Sequence, residues 1–115
     1  MNANQILENI IEESEKINSN VFSLTRSILL ALITYFIDGL QFMELKTALN
    51  ISDGKLASNL RFLIRNGYLL EEQTTLDNKR IKYYSITSEG KREFEKILNW
   101  MELIKELLEE DKNEI

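Results

Sequence analysis

Between positions 55 and 65 the chain places Lys55, Ser58, Asn59, Arg61 and Arg65, and between 79 and 82 it places Lys79, Arg80 and Lys82. Neither set contains an acid. Taken at about 100° per residue, Leu56, Leu60, Leu63 and Ile64 fall within about 100° of arc, so one helix face is apolar. Gly54, Lys55, Ser58, Arg61, Phe62 and Arg65 lie opposite, with Asn59 at the edge. Such a face can do recognition chemistry. An arginine pairs with the acceptors of guanine, a serine or asparagine reaches other base edges, and cations neutralise phosphates. Gly54, near the start of this helix, would let backbone N–H groups approach a phosphate closely. Phe62 is the odd member; it either packs against the first or last helix or meets a thymine methyl.

Catalytic chemistry has little to draw on. The 115 residues include no histidine and no cysteine, so the commonest general base, the commonest thiol nucleophile, disulfides and Cys/His zinc sites are all missing. The four glycines, Gly39, Gly54, Gly67 and Gly90, are scattered singly and form no phosphate loop. The sequence therefore reads as a non-enzyme with no cofactor. The carboxylates Glu106, Glu109, Glu110 and Asp111 read as a solvated charge run rather than a metal site.

The elements that must position the two cationic sets follow from periodicity. Residues 3–19 carry Ile6, Leu7, Ile10, Ile11 and Ile17 at helical spacing, and Asn18, Ser19 and Asn20 break the pattern. A second helix over about 23–37 is apolar on nearly all sides, the mark of a buried central helix, and Asp38-Gly39 ends it. A short helix over 42–50 turns Phe42, Leu45, Ala48 and Leu49 inward. The helix carrying Lys55 to Arg65 follows, with Ser52 as candidate N-cap and Gly67 as terminator. Two short helices joined by a tight turn make a helix-turn-helix.

The period then changes. Residues 68–74 and 81–86 are rich in β-branched and aromatic side chains, with Leu76-Asp77-Asn78-Lys79 between them, which predicts a hairpin with a polar tip. Thr87 or Ser88 caps a last helix running to about 110. The expected fold is mainly α with a two-stranded wing: a winged helix-turn-helix over 21–90, an N-terminal helix over 1–20 and a C-terminal dimerisation helix over 91–115.

At the level of motifs, FMELKTALNISDGKLASNLRFLIRNGYL followed by YYSITSEGKREFEKIL resembles the small winged-helix transcriptional regulators of archaea and bacteria related to the MarR and ArsR groups. Phe42, Leu45, Ser52, Asp53, Gly54, Leu56, Leu60, Leu63, Gly67, Tyr68, Tyr84, Ile86, Thr87 and Gly90 carry the likeness, over roughly residues 24–100. It implies a dimer on double-stranded DNA, with the second helix of the helix-turn-helix in the major groove and the wing beside it. One departure stands at the wing tip, where that subgroup carries an arginine and a proline. This chain reads Asp77-Asn78-Lys79-Arg80-Ile81-Lys82, without the proline.

The net charge of −5 is compatible with this reading once it is divided along the chain. Residues 1–20 hold four acids and one base, 21–86 six acids and eight bases, and 87–115 nine acids and five bases, so only the middle is basic. On the last helix Phe94, Ile97, Met101, Ile104 and Leu108 form one stripe, and Trp100, Leu103 and Leu107 a second. One covers the core. The other asks for a second copy, or for residues 3–19 of the same chain. Phe22, Tyr83, Tyr84 and Trp100 are candidates to line a pocket for a small-molecule effector. The longest apolar run, residues 28–37, is too short to span a bilayer, and the first 20 residues lack a signal-peptide pattern, so the expectation is a cytoplasmic protein. The competing reading is a winged-helix protein-interaction module that does not bind DNA; it would need an apolar patch exposed on the recognition helix or wing.

Overall fold

Four of the five helices begin where a short polar side chain can take the place of a missing helical acceptor. Asn2, Ser23, Ser52 and Thr87 each accept a hydrogen bond from the backbone N–H three residues on. In the computed structural model they open α1 (Ala3–Ser14), α2 (Leu24–Tyr35), α4 (Asp53–Arg65) and α5 (Ser88–Leu108). The remaining helix, α3 (Phe42–Leu49), starts with a reciprocal Gln41/Glu44 capping box. The structure describes residues 2–110; Asp111 and the end of the expected 91–115 segment lie outside the described residues.

The strands are β1 (Leu40–Gln41), β2 (Leu69–Leu76) and β3 (Lys79–Ile86), in the order β1-β3-β2. The sheet is antiparallel throughout, with Leu40 opposite Tyr84 and Leu69 opposite Ile86. The wing is thus part of a three-stranded sheet rather than a bare hairpin. β1 escaped the sequence reading because two residues are too few for a period of two to show. The hairpin closes at Asp77 and Asn78, whose φ angles of 52° and 64° are both positive. A two-residue turn of this hand needs φ > 0 at both central positions, and a proline, locked near −65°, could occupy neither. The missing proline and the tight tip are one fact.

Leu29, Leu30, Ile33, Leu45, Leu56, Leu60, Leu63, Leu69, Tyr84 and Ile97 form the core where α2, α3, α4, the sheet and α5 meet. Each such side chain contributes roughly 1.5–3 kcal/mol on burial. Gly67, with φ of 79°, closes α4: its N–H reaches the Ile64 carbonyl while the Tyr68 N–H reaches that of Leu63. α1 packs along α5, and α5 also meets α2. Here the structure realises the intramolecular option for one stripe of the last helix. Trp100 donates its indole N–H to the Ile10 carbonyl at 3.0 Å, and Phe22 meets the same ring edge-on.

Two expectations need correction. The N-terminal helix stops at Ser14 rather than 19, because the Asn18 backbone N–H is taken by Glu93 and its side-chain amide by Tyr68, contacts that a continuing helix would forbid. α2 is not buried all round either. Its Leu29, Leu30 and Ile33 are sealed, but Leu24 (79% exposed), Ile28, Ala31 and Tyr35 (80% exposed) are not. At 100° per residue those four lie within about 60° of arc, opposite the core. One chain has neighbours for only one side of this helix.

Candidate nucleic-acid interface

The helix that presents the first cationic set is set in place by α3 before it. α3 ends on Asn50 in the left-handed region, and Lys46 of α3 pairs with Asp53 at the start of α4 at 2.7 Å. The tight turn and this ion pair fix the angle at which α4 leaves. Its buried edge, Leu56, Leu60 and Leu63, then turns Lys55, Ser58, Arg61 and Arg65 to solvent, as the spacing requires. Among the described residues none of these cations, nor Lys79 or Arg80, forms an ion pair. A Cβ placed on Gly54 would meet nothing within 4 Å, so the start of α4 is sterically open.

The two flanks of α4 differ. On one side lies an open cleft of about 950 Å³, floored by Phe42, Leu60, Ile64, Ile81 and Tyr84 and rimmed by Arg61 from α4 and Arg80 and Lys82 from β3. One cation of the first set and two of the second thus surround a single concavity. Glu71 also lines it and takes Lys82 at 3.4 Å, which holds that lysine along the wing. Tyr84, in the floor, has its phenol pushed up to about 12 by burial first and by the neighbouring Glu71 second. Tyr83 donates to Glu72 at 2.7 Å, and that hydrogen bond raises its phenol too.

On the other flank α4 meets α2, and two residues of the sequence set turn away from solvent. Asn59 is half-buried; its side-chain oxygen accepts from Arg26 Nε at 3.0 Å and its amide donates to the Lys55 carbonyl at 2.9 Å. Phe62 packs against the core, with the Arg26 guanidinium 3.8 Å from its ring centroid. The cation over its ring comes from α2. Arg26 is the residue that sequence reasoning missed. A single basic residue in an apolar helix gave no signal beyond being alone there.

Phe22, Tyr83, Tyr84 and Trp100 are divided between two places. Phe22 and Trp100 meet edge-on just before the start of α2, whereas Tyr83 and Tyr84 belong to β3. Among the described residues no group of three or more His, Cys, Asp or Glu could hold a metal ion, and no helix is long and apolar enough to cross a membrane.

A sequence profile described as "Winged helix DNA-binding domain" matches residues 24–104, which is most of the chain and contains both cationic sets. The chain belongs to this winged helix family. Solved structures share its fold. The transcriptional regulator homologue protein from Pyrococcus horikoshii OT3 superposes with a TM-score of 0.72 at 18% identity, covering 92% of this chain and 99% of that one. MarR gives 0.68 at 23% identity, covering 91% and 76%. The S. aureus MepR–DNA complex gives 0.65 at 16% identity, covering 89% and 83%. Among curated proteins no sequence matches the chain. This winged helix protein is similar in fold to MarR- and PadR-type regulators, and its α3 with α4 and its hairpin are the helix-turn-helix and wing expected from the sequence.

Proposed function

We propose that this winged helix protein is a sequence-specific, double-stranded-DNA-binding transcriptional regulator that acts as a homodimer in the cytoplasm. The observation that carries the reading is the cleft in which Arg61 of α4 and Arg80 and Lys82 of the wing converge, beside an acid-free helix face. α4 enters the major groove with Arg61, Arg65, Ser58 and Lys55 toward the bases and the nearest phosphates. Lys79, Arg80 and Lys82 hold the flanking backbone or minor groove. Family membership and the fold shared with a DNA-bound regulator support it.

The dimer is assigned to the terminal helices. α5 overruns the core, leaving Leu98, Met101 (44% exposed) and Leu108 bare, while α1 leaves Leu7 and Ile11 bare. The outer stripe of α2 adds apolar surface that a second copy can cover. No catalytic step and no effector are assigned. On the recognition helix the protein-interaction alternative has no bare candidate, since Arg26 covers the Phe62 ring; on the wing Leu70 and Leu76 are exposed. The test is titration of labelled random-sequence duplexes, followed by selection of bound fragments. Binding at low salt that weakens with salt, with enrichment of a two-fold symmetric site, is the expected result. No binding at low salt would overturn the reading.

A further inference from the structure

A line of hydrogen bonds leaves α5 at Glu93 and ends on the exposed face of α4. Glu93 is 4% exposed, and its Oε1 accepts from the backbone N–H of Asn18 at 2.8 Å. Its other oxygen is sealed from solvent with only the Lys96 ammonium nearby, at 3.4 Å. The Asn18 side-chain oxygen accepts from the Asn20 N–H at 3.1 Å, and the Asn20 carbonyl accepts from Arg26 Nη1. Arg26 Nε then donates to Asn59, whose amide donates to the carbonyl of Lys55. The same guanidinium lies over the Phe62 ring. Arg26 therefore touches both the connection between α1 and α2 and two residues of α4, on consecutive turns of that helix.

The Asn18 N–H is the hydrogen bond this buried carboxylate makes, and losing it would leave the carboxylate without one, so Glu93 holds the connection. A planar guanidinium uses its edge and its face at once, which a lysine ammonium cannot do. We propose that Arg26 is a positioning residue for DNA recognition, one that fixes α4 against the connection clasped by Glu93, so that a change at the terminal helices reaches the DNA-facing surface. The proposal rests on the DNA-binding reading above for its first test and is independent of it for the second.

The first test compares Arg26→Ala and Arg26→Lys on the selected duplex and on random-sequence duplex over a range of salt. Both variants are expected to bind the selected duplex about tenfold more weakly, with random-sequence affinity and salt slope unchanged. A phosphate contact would behave otherwise: lysine would restore binding, and Arg26→Ala would shallow the log–log slope by about 0.9 per copy. Either outcome overturns the proposal.

The second test needs no DNA. Amide exchange across residues 55–62 is followed in Glu93→Ala, in Arg26→Ala and in the double variant, with Glu93→Gln as the change that keeps an acceptor and the fold. Faster exchange in Glu93→Ala, recovery in Glu93→Gln, and no further increase when Glu93→Ala is added to Arg26→Ala are expected. Exchange in α4 that ignores Glu93, or effects of the two residues that simply add, would overturn the coupling. If the wild-type chain bound no DNA, the functional reading would fail while this second test still decided the coupling.

Discussion

The salt dependence of DNA binding can be worked out from the ion pairs of the free protein. Lys46 is held by Asp53, and Lys82, although it belongs to the wing's contact set, is already compensated by Glu71 and adds no counterion release. That leaves Lys55, Arg61, Arg65, Lys79 and Arg80 as five cations at the interface with no ion-pair partner among the described residues. Counterion release gives a log–log slope of about −0.9 per phosphate neutralised. Five contacts from one copy give a slope of about −4.5, and two copies on one duplex give about −9. If Arg61 reads a base edge instead of a phosphate, the dimer's slope falls to about −7. The assay is fluorescence anisotropy with a labelled duplex between about 50 and 200 mM salt. Removing Arg80 should shallow the slope by about 0.9 per copy and weaken every sequence alike. Removing Arg61 should leave the slope nearly intact, cost about 1–3 kcal/mol on the preferred site and relax the preference at one position of each half-site. A slope shallower than about −2, or Arg61→Ala and Arg80→Ala variants that cannot be told apart, would refute the division of labour between helix and wing.

The other expectations concern assembly, packing and pH. Met101→Glu with Ile104→Glu places like charges on the assigned pairing surface of α5, at a cost of several kcal/mol, and light scattering should then show a folded monomer with weak DNA binding; a variant that stays dimeric and binds normally would move the interface elsewhere. Gly90→Ala gains about 1 kcal/mol of helix propensity, but its Cβ collides with the Tyr68 carbonyl oxygen and with Ile86, so net destabilisation of about 1–3 kcal/mol is expected in denaturant unfolding. The Tyr84 phenol, raised to about 12 in the folded chain, keeps its proton above the unfolded value near 10. Its contribution to stability is full below pH 10 and is lost as pH rises toward 12; tyrosinate absorbance should show late-titrating phenols whose ionisation tracks unfolding, and coincidence with free tyrosine would contradict the burial.

How much of this was legible in the sequence depended on whether a residue's role is set locally. The leucine spacing of 56, 60 and 63 fixes which way Arg61 and Arg65 face, and Ser52 and Gly67 mark the helix ends, because caps and periodicity are properties of a short stretch. The hairpin was legible from its change of period. β1 was not, since Leu40 and Gln41 become a strand only by lying beside Tyr83 and Tyr84. On the helical wheel Asn59 falls at the edge of the outer face and Phe62 lies on it, opposite the core leucines. What covers them is Arg26, 33 residues earlier in the case of Asn59, and no local pattern reports a contact of that range. Gly90 belongs to the motif, but the reason only glycine fits lies in the Tyr68 carbonyl just before β2.

The outer stripe of α2 shows where a single chain stops explaining itself. A helix with Arg26 as its one charged side chain, and that one turned inward to α4, leaves Leu24, Ile28, Ala31 and Tyr35 facing water with no charge among them. The outer residues of α1 and α5 contrast with it, because acids such as Glu8, Glu12, Glu95 and Glu102 keep those surfaces soluble. The Cα radius of gyration, 17.6 Å, exceeds the roughly 13 Å of a compact domain of about 100 residues, and the longest dimension is 65 Å. A chain this extended gains little core for its length. α1 and α5 bury Ile6 and the Trp100 side of α5 against each other, yet leave apolar residues bare on both helices. Uncovered apolar surface thus lies on α1 and α5, which carry most of the acids, and on the uncharged outer stripe of α2, whereas the two cationic sets belong to α4 and the wing. An electrostatic contact with DNA needs the second surface free, and a lasting contact between copies needs the first surface covered. The sequence separates the two along its length, which lets an acidic protein present a basic face without the two halves of its charge cancelling.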